Sequence, residues 1–271
     1  MIENGTSARY KKRLFVRVPI RLGEDVFARH NISEQKSTAL IKAMGSFKSM
    51  TELFEVKGVW ACGTSALREA ENGKRVIERI KEATGIKIDI LDGKREAEII
   101  YTCHVAEKLN HGKNYLYVDV GGGSTEVTLF AKGKMIYSNS FPVGTVRMLL
   151  EKVSMHDWER MKDAVKTLRR DFYPIVAIGT GGNINKILKI VSSKEKSVEY
   201  KELKRLYEDL LAMNLEERIK KFAFHESRAD VIVPAAKIYL SIMKWADINE
   251  IYVPKLGLAD GMVNFLYEQE K

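Results

Sequence analysis

The stretch that most restricts the fold of this chain is residues 116–130, LYVDVGGGSTEVTLF, in which an apolar strand ends in Asp119, turns on Gly121, Gly122 and Gly123, and re-enters a strand through Ser124 and Thr125. Glycines at such a turn let backbone N–H groups converge on an anion. Asp119 at the strand end is placed to face a bound phosphate and to hold Mg²⁺ or its water shell, with Glu126 as a second carboxylate. A strand, not a helix, follows the glycines, so the run is neither a Walker loop nor a dinucleotide fingerprint. The plain alternative is a β-turn with an acid that does nothing.

Around this turn the hydrophobic pattern predicts a mixed α/β protein. Residues 13–23 alternate like a strand interrupted at Pro19, with Arg17 and Arg21 on it, and residues 33–56 have helical spacing behind a Ser33 cap. A short strand at 58–63, a helix over 65–83 closed by Gly85, a strand at 86–91 and a helix over 95–109 follow. That last helix would align Ala97, Ile100, Tyr101, His104 and Val105, and the polar link 110–114 marks a lobe boundary. The second half opens with a meander, 115–120, 125–131 and 134–141, the last two joined at Lys132-Gly133. Helices at 145–151 and 155–171, a strand at 174–179, a helix behind Gly181-Gly182, helices at 199–213 and 228–246, a strand at 250–254 and a final helix complete the pattern. The expected organisation is a first lobe at 1–112 and a second at 113–271.

Three further features carry chemistry. Arg68 sits just inside a helix N-terminus, where a guanidinium can grip phosphate; the competing reading is a surface pair with Glu71. In 178-IGTGGN, strand, glycine turn and helix recur, so Gly179, Gly181 and Gly182 either present amides to an anion or permit close strand–helix packing. Glu96 stands in the first helical turn after Asp92-Gly93, where a carboxylate complements the helix dipole or acts as a base. The five histidines have no ligand or triad spacing.

With these segments in view the chain resembles the exopolyphosphatase and guanosine-pentaphosphate phosphohydrolase family of the actin, Hsp70 and sugar-kinase superfamily. Asp-Val-Gly-Gly-Gly-Ser-Thr-Glu resembles its second phosphate loop, and 62-CGTSALREAENG, 91-LDGKREAEIIY, 177-AIGTGGNINKI and 228-RADVIVPAAKIYLSIM resemble its other conserved stretches, so that the likeness runs from about Arg17 to Leu266. The resemblance implies a two-lobed actin-like (ribonuclease H-like) fold, a Mg²⁺-dependent release of terminal phosphate from inorganic polyphosphate or guanosine pentaphosphate, Glu96 as the base for the attacking water, and a homodimer. It places Gly144 and Arg147 beside the cleft. Lys94 and Arg95 replace acidic residues common next to that glutamate. The family's first phosphate loop, Asp-x-Gly-Ser-Asn on an N-terminal hairpin, has no counterpart ahead of Arg17, so the first lobe is expected to lack its N-terminal strands, either because the start falls inside a longer reading frame, the favoured reading, or because the protein is shortened; a polyphosphate or alarmone binder with weak or no turnover is the rival to the hydrolase. A sugar kinase fits less well, because the Thr-Ser-Ala-Leu-Arg stretch is not a hallmark of those enzymes.

Charge and composition agree with an anionic ligand without selecting it. The formal net charge of +9 gives a field that draws polyanions. The basic residues do not interleave with aromatics in any nucleic-acid module, so nucleic acid is not an expected partner. Neither a signal peptide nor a membrane span is expected, and Cys62 and Cys103, in apolar segments without metal-ligand spacing, suit a reducing, cytoplasmic setting.

Overall fold

Strands and helices alternate through the computed structural model, which describes residues 14–101, 112–191, 196–254 and 257–269. The first described strands, Ala61–Gly63 (β1) and Ile88–Ile90 (β2), pair in parallel from Ala61↔Ile88 to Gly63↔Ile90. Helices Leu22–Arg29, Glu34–Leu53, Ser65–Glu69 and Gly73–Thr84 surround them. The pair is held by a cluster of Val26, Phe27, Ile32, Leu67, Val76, Ile80 and Ile88. Ile80 is completely buried, a side chain whose removal from water contributes about 1.5–3 kcal/mol.

A six-stranded sheet occupies the second half. Asn114–Val120 (β3), Thr125–Ala131 (β4) and Lys134–Phe141 (β5) form the expected meander, antiparallel from Asn114↔Ala131 to Val120↔Thr125 and onward to β5. The β4–β5 turn works because Lys132 and Gly133 both adopt positive φ, 51° and 73°, the conformation that matches hairpin twist. Ile175–Thr180 (β6) lies parallel to β3, Glu250–Tyr252 (β8) parallel to β6, and Ser197–Glu199 (β7) antiparallel at the far edge. The order β5-β4-β3-β6-β8-β7, a meander followed by parallel strands, is that of an actin-like, ribonuclease H-like lobe.

β3 lies in the middle and is buried on both sides. Leu116, Val118 and Val120 join Val127, Leu129, Met161, Val165, Ile238 and Ile242 in the large core, while Tyr115 and Tyr117 turn to the other face with Phe130, Ile178 and Ile100. That period-2 division fixes the register and carries Asp119 to the open end of the strand. The C-terminal helix, Leu258–Gln269, packs against helix Gly93–Tyr101, and Phe265 meets Trp60 at 5.0 Å between ring centroids.

Several elements differ from expectation. Residues 14–20 form no strand: Leu14 and Phe15 are 55% and 69% exposed, and Arg21 in the left-handed region starts a helix instead. The helix expected over 65–83 is broken, because Ala70 turns extended, the Glu71 amide donates to the His30 carbonyl, and the Asn72 side-chain amide exchanges hydrogen bonds of 2.9 and 2.8 Å with the Ile32 backbone. The stretch 228–246 likewise divides into Glu226–Ala229 and Ile232–Ala246, and Leu215–Phe222 adds a short helix with an Asn214–Glu217 capping box. The expected continuation through His104 and Val105 lies outside the described residues.

Candidate active site

The C-terminal ends of β3 and β6 open into a cleft of about 430 Å³, within the range of small-ligand sites. Its walls come from both halves of the chain: Phe27, Ser65 and Glu96 on one side, Asp119, Gly121–Ser124, Glu126, Thr180 and Gly181 on the other.

The glycine loop is the floor. The Gly121 amide donates to the Ser124 carbonyl at 2.9 Å, closing the turn, whereas the amides of Gly122, Gly123 and Ser124 donate to no protein acceptor among the described residues. The loop's carbonyls are already engaged by the following short helix, Thr145–Leu149, whose Thr145 amide donates to Gly121 at 3.0 Å and whose Val146 amide donates to Gly122 at 2.8 Å. Carbonyls turned away and amides left over give the loop the polarity of an anion seat. Gly144 makes this docking possible, since a Cβ there would lie 2.3–2.5 Å from the Gly122 and Gly123 backbone. A Cβ at Gly123 would lie 2.2 Å from both Phe27 Cζ and Ser65 Oγ, which marks the closest approach of the two walls.

Arg147 ties these parts together. Its Nε donates to the Gly123 carbonyl at 2.8 Å, its Nη2 meets Glu69 Oε2 at 2.6 Å, and its guanidinium carbon lies 4.2 Å from the Phe27 ring centroid. The sequence places this side chain beside the cleft; the structure makes it the clasp between the glycine loop and the opposite wall.

Three carboxylates gather at one end. Glu96 rides on helix Gly93–Tyr101, whose start is held by Asp92 Oδ1 accepting from the Arg95 amide at 2.7 Å. Gly93 lets that helix end press onto the sheet, because a Cβ there would lie 2.7 Å from Ser140 Cβ and 3.4 Å from Glu126 Cγ. Glu126 is buried, with Oε1 accepting from Ser124 Oγ at 2.6 Å and Ser140 Oγ at 2.9 Å. Asp119 accepts from Thr180 Oγ1 at 2.8 Å.

Burial first, then repulsion from Glu126 and Asp119, pushes the Glu96 carboxyl up to about 8 against the pull of Arg68. Burial and the Asp119 charge raise Glu126 despite its two hydroxyl donors, and burial raises Asp119 despite Thr180. Like charges held close in a half-dry cleft are a combination that a bound cation relieves. Among the described residues no three ligating side chains converge as a metal cage. The donor set instead suits Mg²⁺, which takes one or two carboxylates and fills its remaining positions with water and phosphate oxygens.

The remaining sequence candidates divide. Arg68 does not pair with Glu71 but turns to the Leu91 carbonyl at 2.5 Å and to Glu96 Oε1 at 3.4 Å. Thr125 is fully buried and donates to the Val143 carbonyl, so its hydroxyl holds the turn in place and does not face the cleft. Gly181, at φ 88°, lines the cleft with its Cα hydrogens toward Asp119: a Cβ would lie 2.6 Å from Oδ1. Gly179 packs inside β6 against Ile184 and Ile251, and Gly182 lies against the Arg228 guanidinium, which donates to its carbonyl at 3.0 Å. Ser140, Gly93 and Thr180 were not legible as site residues, since an isolated serine, glycine or threonine on a strand or turn acquires meaning only from what the fold sets beside it. Arg21, which the sequence pattern puts on a strand, lines the cleft instead, fixed by Asp230 at 2.5 Å and Glu24 at 2.6 Å.

Comparison with known proteins shows the fold and the family. The chain is 24% identical to an exopolyphosphatase structure from Cytophaga hutchinsonii, with a TM-score of 0.80 over 92% of this chain and 88% of that one. It matches the Aquifex aeolicus Ppx/GppA family member with a TM-score of 0.72 at 24% identity, over 93% of this chain and 88% of that one. Among curated relatives, Exopolyphosphatase 1 of Mycobacterium leprae is 21% identical over 90% of this chain and 78% of its own length. The guanosine-5'-triphosphate,3'-diphosphate pyrophosphatase of Photobacterium profundum is 23% identical over 90% of this chain, which spans only 52% of that relative's length. The model of the Ppx/GppA phosphatase family matches residues 16–270, and the chain belongs to that family.

Proposed function

We propose that this protein hydrolyses the terminal phosphoanhydride bond of inorganic polyphosphate, of guanosine pentaphosphate, or of both. The observation that carries the reading is the meeting of a glycine loop with unengaged amides and a carboxylate pushed up to about 8 in one cleft. The terminal phosphate sits on the Gly122–Ser124 amides, which neutralise its oxygens without side-chain reorganisation. Glu96, from the opposite wall, orients a water for in-line attack on the terminal phosphorus and takes its proton as the new P–O bond forms and the bridging P–O bond breaks. The shortened chain leaves with the bridging oxygen. Asp119, with Glu126 behind it, would hold Mg²⁺, which supplies charge neutralisation to the phosphates.

A carboxyl near 8 is mostly protonated at neutral pH in the empty cleft. Cation binding stabilises the ionised form and moves Glu96 into the range where a base works best. The exposed Lys94 and Arg95 at the start of its helix add positive charge near the cleft, and Arg95 pairs with Glu98 at 3.0 Å.

The test is phosphate release from long-chain polyphosphate and from guanosine pentaphosphate with and without Mg²⁺, for the native chain and for Glu96→Ala. Release that needs Mg²⁺ and falls about 10²–10⁴-fold in the variant supports the hydrolase. Polyphosphate bound without release in the native chain would replace it with a binding protein.

A further inference from the structure

A second groove lies outside the cleft and shares no lining residue with it. Helices Met155–Phe172 and Ile232–Ala246 pack side by side, and between them runs a groove of about 760 Å³ lined by Trp158, Lys162, Lys166, Arg169, Lys244 and Trp245, with Glu159 and Asp247. On the first helix Trp158, Lys162, Lys166 and Arg169 recur every three or four residues, so they form one stripe along one face. The chain separates the two tryptophans widely. The fold sets their rings 5.5 Å apart at 77°, edge to face.

Both indoles are anchored against the large core but only partly buried, and an edge-to-face pair covers one face of one ring. Lys237 approaches the Trp158 ring at 5.7 Å. Glu159 is matched by Lys162 at 2.7 Å and Asp247 by Arg169 at 2.6 Å. Lys166 and Lys244, both exposed, make no ion pair among the described residues. The groove therefore combines aromatic surface with surplus positive charge.

We infer that this groove binds a nucleotide carrying two or more phosphates, its base against the indole pair and its phosphates along Lys166 and Lys244. A bare phosphate chain would use the lysines and gain nothing from the tryptophans, whereas a base stacks on an indole while its phosphates meet the cations that Lys166 and Lys244 bring to the same groove. Binding at this surface leaves the cleft open, so a nucleotide here acts on the protein without competing for the glycine loop.

The experiment titrates the full chain with ATP in the absence of divalent cations and follows the three tryptophan indole N–H signals by ¹⁵N–¹H NMR, assigned with single Trp→Phe variants. Trp60 is the internal reference: its indole donates to Asp89 at 3.0 Å and it lines neither surface. Expected are shifts of Trp158 and Trp245 with Trp60 unmoved, at least about tenfold weaker binding for tripolyphosphate, and a similar weakening in the double variant Lys166→Glu/Lys244→Glu. Both substituted lysines are exposed and unpaired, so the variant should fold, which the unmoved Trp60 signal checks. Silence of both groove indoles at millimolar ATP overturns the inference. Equal affinity for tripolyphosphate, or undiminished binding in the double variant, overturns it as well.

Discussion

Replacing Glu96 by glutamine removes an ionisable group and keeps its shape, so it isolates the energetic cost of the carboxylate cluster. An acid raised from 4.5 to about 8 stays protonated in the folded protein while the unfolded chain ionises between those pH values. The folded state then binds more protons, and stability is full below about pH 4.5, falls as pH rises, and levels off above about pH 8. At about 1.4 kcal/mol per tenfold change in the proton equilibrium, that rise amounts to at most about 5 kcal/mol. Because Glu126 and Asp119 supply part of the repulsion and relax when Glu96 is neutralised, the expected gain for Glu96→Gln is about 2–4 kcal/mol at pH 8.5. At pH 5 the two proteins should be nearly equal. Urea unfolding at the two pH values, without divalent cation and with equal m-values, measures the difference directly. A pH slope of the same size in both proteins would show that Glu96 titrates as an ordinary surface carboxylate, and the charge argument for the cleft would fall.

Other perturbations test the scaffold and the chemistry. Gly144→Ala inserts a Cβ 2.3–2.5 Å from the glycine-loop backbone, so it should cost about 1–3 kcal/mol and abolish phosphate release, checked by thermal unfolding alongside the assay. Burial opposes the charge of Asp25, but hydrogen bonds from Ser33, the Lys36 charge and Arg29 hold its carboxyl at about 2; Asp25→Asn should lose about 2 kcal/mol at pH 7, a difference that disappears as pH falls from about 4 to 2. Arg147→Met cuts the clasp to Glu69 and Gly123, and a raised KM for polyphosphate with the fold retained by circular dichroism is expected; an unchanged KM would remove Arg147 from the account. If Glu96 is the base, the acid limb of the pH–rate profile should move to lower pH as Mg²⁺ is raised, and a limb indifferent to Mg²⁺ would separate the cation from Glu96.

What the sequence disclosed follows from how local each signal is. The Gly121–Thr125 turn, the meander and the hairpin at Lys132-Gly133 rest on neighbouring residues, and all three stand in the structure as read. Asp119 and Glu126, an acid at a strand end and its antiparallel partner just past the turn, both line the cleft, a placement that also follows from neighbouring residues. The helix break at Ala70–Asn72 was not, because its cause is the Ile32 backbone, remote in sequence, held by the Asn72 amide. Residues 14–20 show the opposite limit of a local signal: alternation there is strand-like, yet the segment adopts no strand and leads into the helix behind Arg21. Gly93 and Ser140 became informative only when the fold brought helix Gly93–Tyr101 onto β4 and β5.

The geometry also explains why glycine occupies four of the closest approaches in the cleft. Gly93 admits Glu96 to the sheet, Gly123 admits Phe27 and Ser65 to the loop, Gly144 admits the next helix to the loop's carbonyls, and Gly181 admits Asp119 to the start of the helix Gly181–Val191. Each removes a Cβ that would hold the facing surfaces apart, and together they let three carboxylates and the unengaged amides share one cleft. Such an arrangement is unfavourable by itself, since burial raises all three acids and repulsion adds to it at Glu96 and Glu126. Under the proposed function a divalent cation and phosphate oxygens entering together would offset that cost, the cation answering the carboxylates and the amides answering the phosphate. Binding therefore supplies what folding left uncompensated, and a ligand that brings only one of the two charges should be held more weakly than the pair.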